Sequence, residues 1–461
     1  MTGSSSLKIR TSVLSVLNRL ISLYGVLPSG LRRALLPLSQ SVYSGTRRAT
    51  IILSQIRLPV LLFEGTEKNS GGKVIFLVLG KEKQLSYLHG LYFSEIRVKK
   101  KLGTVFIWNL RSYLSGLALQ PDMAVVHVDA FYSRFLAGLG FVFLPEWVTF
   151  KFDLSNPLQE TWRLSENKTL RENLRRVRKY KYTYDISSNP AHFETFYHRM
   201  YLPFIPRRYG EEASLISFRM MKVFFKSGVL LLVKQGREIV SGNIIMLARK
   251  SAKSIVIGLK DGNVNRLKKA ALSASYYFTM LWAQKEGYQV LDFGECRPFL
   301  NEGLVYYKKR WGMVVESYKH RKNLFGIQVC RMTPPVRNIF ARNPFIFTMK
   351  KQLNGLVISG SDRPLSDMDI RMLMKKYFIS GLDRLTLVSE YGFNSEVLEK
   401  NETGAYRSVV LIEATADDFF RRFWPSIQKR KSTSQEGRTD RQTASQQPFT
   451  SEKTKRSTPE S

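Results

Sequence analysis

The sequence predicts an α/β protein built on mixed sheets. Apolar runs of strand length alternate with helical patterns in three stretches, 73–153, 165–330 and 355–412. At 461 residues, 44% of them hydrophobic, the chain has more apolar material than one ordinary core holds, so two or three domains are expected. The expected division is a basic amphipathic segment over 1–62, an α/β domain over 63–160, a second over 161–330, a small α/β unit over 331–425 and a disordered tail over 426–461.

The first 63 residues hold no acid but carry Lys8, Arg10, Arg19, Arg32, Arg33, Arg47, Arg48 and Arg57. From Thr11 to Tyr24 the polar residues share one helical face and Val13, Leu14, Val16, Leu17, Leu20 and Ile21 fill the other. Three readings fit. The segment lies on an anionic membrane surface through residues 7–24, packs on the protein's own body, or acts as a transit peptide.

Over 73–153 the strand runs are Lys73–Leu79, Val105–Leu110, Ala124–Val128 and Val148–Phe152, with a helical pattern over 131–139. A helix from Arg163 to Lys181 carries an apolar stripe (Leu170, Leu174, Val177) beside a basic one (Arg171, Arg175, Arg178). A strand at Tyr182–Ile186 and helices near 191–202 and 214–226 follow, separated by the proline-broken segment 203–210. Three strands come next, Val229–Val233, Ile239–Ala248 and Ser254–Gly258, the first two joined by a hairpin at Gln235–Glu238. A basic loop, 260–269, leads into a long helix that ends at Glu286-Gly287, since glycine suits the position past a helix end. The strand Gln289–Phe293 follows at once. Residues 355–412 read β-α-β-α-β, and the serine-, lysine- and arginine-rich tail is too polar to build a core.

The net charge of +35 predicts an anionic partner such as nucleic acid, anionic lipid or a phosphorylated ligand. The tail does not explain it, because residues 429–461 hold eight basic and four acidic residues. Two cysteines, Cys296 and Cys330, exclude a disulfide framework and suit a reducing, cytoplasmic setting, peripheral on the membrane's inner face in the first reading of 7–24. Five scattered histidines give no zinc spacing, so no metal is expected. No charge-free apolar stretch is long enough to predict a transmembrane span.

Chemistry concentrates in two places. The strand Ser254–Gly258, its loop and the following helix form an anion-binding geometry, with Asn263, Asn265, Arg266, Lys268 and Lys269 as side-chain donors; a diphosphate such as that of coenzyme A would fit. The second place is Leu291–Gly312, which combines Asp292, Glu295, Asn301 and Glu302 with a lysine-rich helix.

The run Arg266-Leu-Lys-Lys-Ala-Ala271 resembles the diphosphate loop of the GNAT superfamily, with Arg266 and Ala271 matching and Lys269 where the first glycine would stand. There a side chain is expected to occupy the place where backbone approaches the diphosphate. The Fem-type branch, including the BioF2-like acyltransferase domains, is more similar. Its basic helix resembles Leu170–Lys179, its strand end resembles Leu291-Asp-Phe-Gly294, and its helix resembles Tyr307-Lys-Lys-Arg-Trp-Gly312. The resemblance covers about 165–320 well and 60–155 as a degenerate first half, while 331–461 has no counterpart.

What the resemblance implies is a tandem GNAT-like (Fem-like) fold and an N-acyltransferase. An acyl-CoA donor would acylate an amine of a sugar, amino acid or cell-envelope precursor. Lys308 would stabilise the developing oxyanion. Asp292 would accept a proton from the amine or cap its turn. The loop residues through Ala271 would hold the donor, and Arg207, Arg208, Glu295 and Asn301 would face the acceptor. Phe293 and Trp311 are expected in the core. The alternatives are an aminoacyl-tRNA donor, and a non-catalytic basic protein that docks on membranes or nucleic acid.

Overall fold

The computed structural model describes residues 45–423 apart from 47, 137, 159–161, 163–167, 211–212, 214, 320–321, 403 and 405. The amphipathic stretch 11–24, the membrane contact expected of 7–24 and the tail from 426 lie outside the described residues.

The chain runs through β1 (Arg57–Glu67), β2 (Lys73–Leu79), α1 (Glu82–Tyr92), β3 (Phe93–Phe106), β4 (Met123–Asp129), β5 (Val142–Pro145) and β6 (Val148–Asp153). Next come α2 (Lys168–Lys179), β7 (Tyr182–Ser187), α3 (Pro190–Phe196), α4 (Leu202–Tyr209), α5 (Phe218–Lys226), β8 (Gly228–Gln235), β9 (Glu238–Leu247) and β10 (Ser251–Leu259). These lead to α6 (Ala271–Lys285), β11 (Val290–Cys296), α7 (Gly303–Arg310), β12 (Val314–Ser317) and β13 (Asn323–Val329). The last part holds α8 (Pro334–Arg342), β14 (Phe345–Met349), β15 (Gln352–Ile358), α9 (Asp367–Tyr377), β16 (Leu385–Ser389), α10 (Ser395–Glu402) and β17 (Val409–Glu413).

The strands form three sheets, in the orders β3-β1-β2-β4-β13-β5, β12-β6-β11-β10-β9-β8-β7 and β14-β15-β16-β17. The α/β class with mixed sheets is therefore the observed one. The first two sheets trade strands. β6 leaves the first part of the chain and lies between β11 and β12, while β13 returns from the second part to lie between β4 and β5. Each sheet thus needs backbone from both sides of residue 160 to complete its ladder.

Several local expectations are corrected. The run Val105–Leu110 is not a strand: only Val105 and Phe106 belong to β3, and a 3-10 turn at Ile107–Asn109 leads into a short helix, Leu110–Ser115. Most of β3 has no apolar alternation because it is exposed on both faces, so its polar sequence gave no strand signal. The pattern over 131–139 becomes a 3-10 turn at Tyr132–Leu136.

The segment 203–210 is not broken by its prolines. A π-helical turn, Tyr197–Tyr201, passes into α4, which contains Pro203 in its first turn and Pro206 inside. Proline is tolerated in a first turn because that N–H has no intrahelical partner. Gly258 of β10 lets this turn sit close: a Cβ there would stand 2.7 Å from the carbonyl carbon of Met200. The helix expected from Arg266 is also interrupted, with one turn at Asn265–Lys268, a left-handed residue at Ala270 (φ 64°), and then α6.

The third sheet serves both cores. Leu353, Val357, Leu385 and Leu387 pack in one cluster with Trp311 and Val315 of the second sheet's side. Phe347, Leu356, Ile358 and Val388 join Phe63, Phe325 and Ile327 of the first.

Candidate active site at the diverging strands

The parallel neighbours β10 and β11 pair only over Ser251–Lys253 and Val290–Asp292, and then part. Each strand carries an irregularity at that point: β10 shifts register against β9 between Ser254 and Val256, and β11 shifts against β6 between Asp292 and Glu295. A bulge inserts an extra residue and adds local twist, which turns the two strands away from each other. Gly294 supplies the positive φ, 78°, that the β11 bulge needs.

Polar side chains gather at the apex of this opening. Asp292 Oδ1 accepts hydrogen bonds from Gly294 N at 2.7 Å and Thr149 Oγ1 at 2.9 Å, so this carboxylate braces the bulge. Lys308, projecting from α7, is not a surface lysine; it is only 2% exposed. Its Nζ donates to the carbonyls of Gly294 at 3.0 Å and Glu295 at 3.4 Å, and stands 5.4 Å from the Phe150 ring centroid. The bulge aims two carbonyls at the ammonium in a low-dielectric setting, where such contacts are strongest.

Beside it, Lys253 Nζ donates to Glu295 Oε1 at 2.9 Å and lies 3.9 Å from Asp292 Oδ2. Burial favours the neutral form of Glu295, but the charge and hydrogen bond of Lys253, with a hydrogen bond from Tyr318, outweigh it and hold the carboxyl down to about 2. Burial likewise opposes the Lys253 charge, and Glu295 and Asp292 raise it above the ordinary lysine range. Burial pushes the Cys296 thiol up to about 12, against the nearby Lys308 charge, so it stays protonated.

A second polar layer ties α6 to the sheet. Ser254 Oγ donates to Asn243 Oδ1 at 3.0 Å, Asn243 Nδ2 donates to Thr279 Oγ1 at 2.9 Å, and Ser241 and Ser275 share a hydrogen bond of 2.6 Å. All five residues are buried. Next to them Phe293 stacks on Tyr276 with centroids 4.6 Å apart, and Tyr276 meets Tyr307 and Trp311. Phe293 and Trp311 are core residues, as their sequence context predicts.

The loop between β10 and α6 is held largely by its own cations. Arg266 Nη2 donates to Glu238 Oε1 at 2.6 Å and Lys260 Nζ to the same oxygen at 2.9 Å. Asn263 Oδ1 accepts from Asn265 N at 3.0 Å, a local turn. Arg207 Nη1 donates to the carbonyls of Asp261 at 2.8 Å and Gly262 at 3.3 Å, and Arg199 pairs with Asp261. Arg207 therefore braces the loop, while Arg208 is exposed on the last turn of α4.

Lys269 has φ −86°, so its position makes no demand for glycine; the left-handed residue is Ala270. The Lys269 side chain is exposed, and its carbonyl accepts from Tyr182 Oη at 3.1 Å. Lys268 is exposed as well, and Ala271 is buried at the start of α6. Alongside lie the exposed Arg171, Arg175, Arg178 and Lys179 of α2, whose Arg176 reaches the Lys268 carbonyl.

The structure thus brings Lys308, Asp292 and Glu295 together at the apex and keeps the six loop residues at the end of β10. Asn301 lies apart, its Nδ2 donating to the Arg342 carbonyl at 2.6 Å, and Glu302 stands at the N-cap of α7. Sequence reasoning missed Thr149, Lys253, Ser254, Asn243 and Thr279. A signal existed for some of them, since Ser241, Asn243, Ser275 and Thr279 are polar residues inside apolar strand and helix runs. A cavity of about 480 Å³ lies elsewhere, lined by Glu82, Ser86, His89, Phe93, Glu95 and Ile96 among others.

No protein-family model matches the chain, and no curated protein matches it. Among solved structures the chain is similar to L-PGS from Bacillus licheniformis, at 13% identity and a TM-score of 0.31 over 60% of this chain and 88% of that one. It is similar to FemX at 14% identity and a TM-score of 0.31, over 58% and 84% of the two chains. It is also similar to a GCN5-related N-acetyltransferase from Kribbella flavida at 9% identity and a TM-score of 0.24, over 70% and 77%.

Proposed function

We propose that this protein is an N-acyltransferase that joins an acyl group from acyl-CoA to an amine at the opening between β10 and β11. The observation that carries the reading is the buried ammonium of Lys308 at the apex of two diverging parallel strands, beside the start of a long helix. In this reading the amine nitrogen attacks the thioester carbonyl carbon and the C–S bond breaks. The amide forms, and coenzyme A leaves as the thiol with the amine's proton. Lys308 stabilises the oxyanion of the tetrahedral intermediate, and the fixed bulge keeps that charge in place without reorganisation. Asp292 serves as the brace of the bulge, and Glu295 as the counter-charge of Lys253. Lys268, Lys269 and the free backbone N–H groups at the start of α6 are suited to the donor's phosphates.

Calorimetry with acetyl-CoA and a long-chain acyl-CoA, together with thiol release against a panel of amines, tests this. Saturable binding and amine-dependent thiol release are expected. Absence of binding by either thioester overturns the reading.

One observation favours a second donor. The exposed Arg171, Arg175, Arg178 and Lys179 lie on α2, whose Arg176 reaches the Lys268 carbonyl, and this basic helix would suit the backbone of an aminoacyl-tRNA. Filter binding of charged tRNA at two salt concentrations separates the donors. Salt-sensitive binding that is lost in an Arg171→Glu, Arg175→Glu, Arg178→Glu variant would select this one.

A further inference from the structure

Strand β3 stands out from the rest of the fold. It is 14 residues long and, among the described residues, forms the edge of its sheet, paired to β1 alone. β1 itself is regular, and its odd-numbered residues face the core that holds Phe63, Phe76 and Phe93. Residues directly opposite across a ladder share a face. Gly65 opposes Ile96, Phe63 opposes Val98, Leu61 opposes Lys101 and Arg57 opposes Phe106. Ile96, Val98, Lys101 and Phe106 therefore lie on the same face as Phe63, beyond the part of it that α1 covers.

The apolar members of this row remain in water. Ile96 is 38% exposed, Val98 44%, Phe106 42% and Trp108, just past the strand, 52%. Trp108 stacks on Phe106 with centroids 5.1 Å apart, and the Arg57 guanidinium lies 5.8 Å from the Phe106 ring. The strand also carries Arg97, Lys99, Lys100 and Lys101 against Glu95 alone. Arg97 and Lys99 pair with Glu64 on the opposite face, where Lys100 also lies across from Leu62, whereas Lys101 and Arg57 share the apolar row's face.

We propose that this uncovered face of β3 is a docking surface for an anionic lipid bilayer. Cations draw the strand to the charged interface, at roughly 1 kcal/mol for each lysine or arginine near the surface. Tryptophan and phenylalanine rings are suited to the headgroup level, and the aliphatic side chains to the acyl boundary. Ile96 and Val98 decide between lipid and nucleic acid. Neither has a π face on which a base could stack, so a polyanion in water gains little from them, while a bilayer removes them from water. This surface includes none of residues 7–24 and does not rest on the acyl-transfer reading.

The test is sedimentation of the full-length protein with vesicles of pure phosphatidylcholine and with vesicles containing one-third phosphatidylglycerol. Wild type should bind the anionic vesicles and leave the neutral ones. Phe106→Ser with Trp108→Ser should weaken binding about tenfold, and Arg57→Gln with Lys101→Gln about thirtyfold. All four residues are exposed, and circular dichroism verifies folding. Failure of wild type to bind anionic vesicles overturns the proposal. So does full binding by both variants, which would place docking elsewhere on the chain. Binding to poly(U) that needs Arg57 and Lys101 but ignores Ile96→Ser, Val98→Ser, with no vesicle binding, would assign the surface to nucleic acid instead.

Discussion

The parallel junctions of the second and third sheets behave differently. β10 and β11 hold three paired positions and then separate, whereas β15 and β16 hold four and β16 and β17 five, to the ends of the strands. β16 is Leu385-Thr-Leu-Val-Ser389, buried at every position, and its ladders run without a register shift. The β10–β11 junction instead places Lys253, Ser254, Asp292 and Gly294 where pairing stops. Parallel pairing alone therefore does not open a sheet; the paired bulges and their polar braces do. Charge divides the same way. Residues 345–423 hold eleven basic and eleven acidic residues, so the +35 belongs to the rest of the chain.

The largest effect that would break this contrast is expected at Lys308. Lys308→Ala should lower acyl transfer by about 10²–10³-fold, while Thr386→Val in the middle of the closed junction should leave the rate unchanged; steady-state thiol release compares the two. A rate retained in Lys308→Ala would remove the chemical meaning of the open junction.

Next comes Gly381, where the third sheet meets β12. It has φ 98°, and a Cβ there would stand 2.1 Å from the Val315 carbonyl oxygen. Gly381→Ala combines backbone strain with a clash against backbone and should cost about 3 kcal/mol in urea unfolding. An unchanged midpoint would show that the two junctions are not packed as described.

Acid then separates the two carboxylate environments. The Glu295 carboxyl is lowered from 4.5 to about 2, so its stabilising contribution is present above pH about 4.5 and is lost as pH falls toward 2. Glu295→Gln should flatten the decline of stability through that window, measured by denaturant titration at pH 7, 4 and 3. In the third-sheet unit Asp369 is also held at about 2, by hydrogen bonds from Ser366 and by Arg363, so Asp369→Asn probes the narrower window from 3.8 down to about 2 at a surface helix cap. Its effect should be the smaller one, because its partner Arg363 is exposed, whereas Lys253, the partner of Glu295, is half-buried. The smallest expected change is Ser366→Ala, which removes the α9 capping box and should cost about 1 kcal/mol, read from the same titrations.

Much of the framework was legible. β2, β4, β6, β8, β9, β11, β15, β16 and β17 all lie on apolar runs, because burial of both faces leaves an unbroken hydrophobic signature. β3 was illegible for the opposite reason: exposed on both faces, it has no pattern to read. β5, only four residues long and paired to the distant β13, also escaped notice. At the site, the Tyr307–Gly312 motif singled out Lys308, but its burial could not be foreseen. A lysine on a short helix is ordinarily at the surface, and the carbonyls of Gly294 and Glu295 that hold it exist only after β11 bulges. Counting along the motif put the departure from glycine at Lys269, and the backbone angles add that the left-handed residue of the loop is the next one, Ala270.

By itself the sequence determined the α/β class, the strand-loop-helix-strand order around residues 254–312 and the cationic character, since these follow from local periodicity and composition. Tertiary structure alone decided that β6 and β13 change places between sheets, that β10 and β11 part after three residues, and that Lys308 is buried at the point where they do. Each of these depends on pairing between segments that no local pattern couples. Asp292 meets Thr149 across 143 positions of chain, and only the folded sheet brings them within a hydrogen bond.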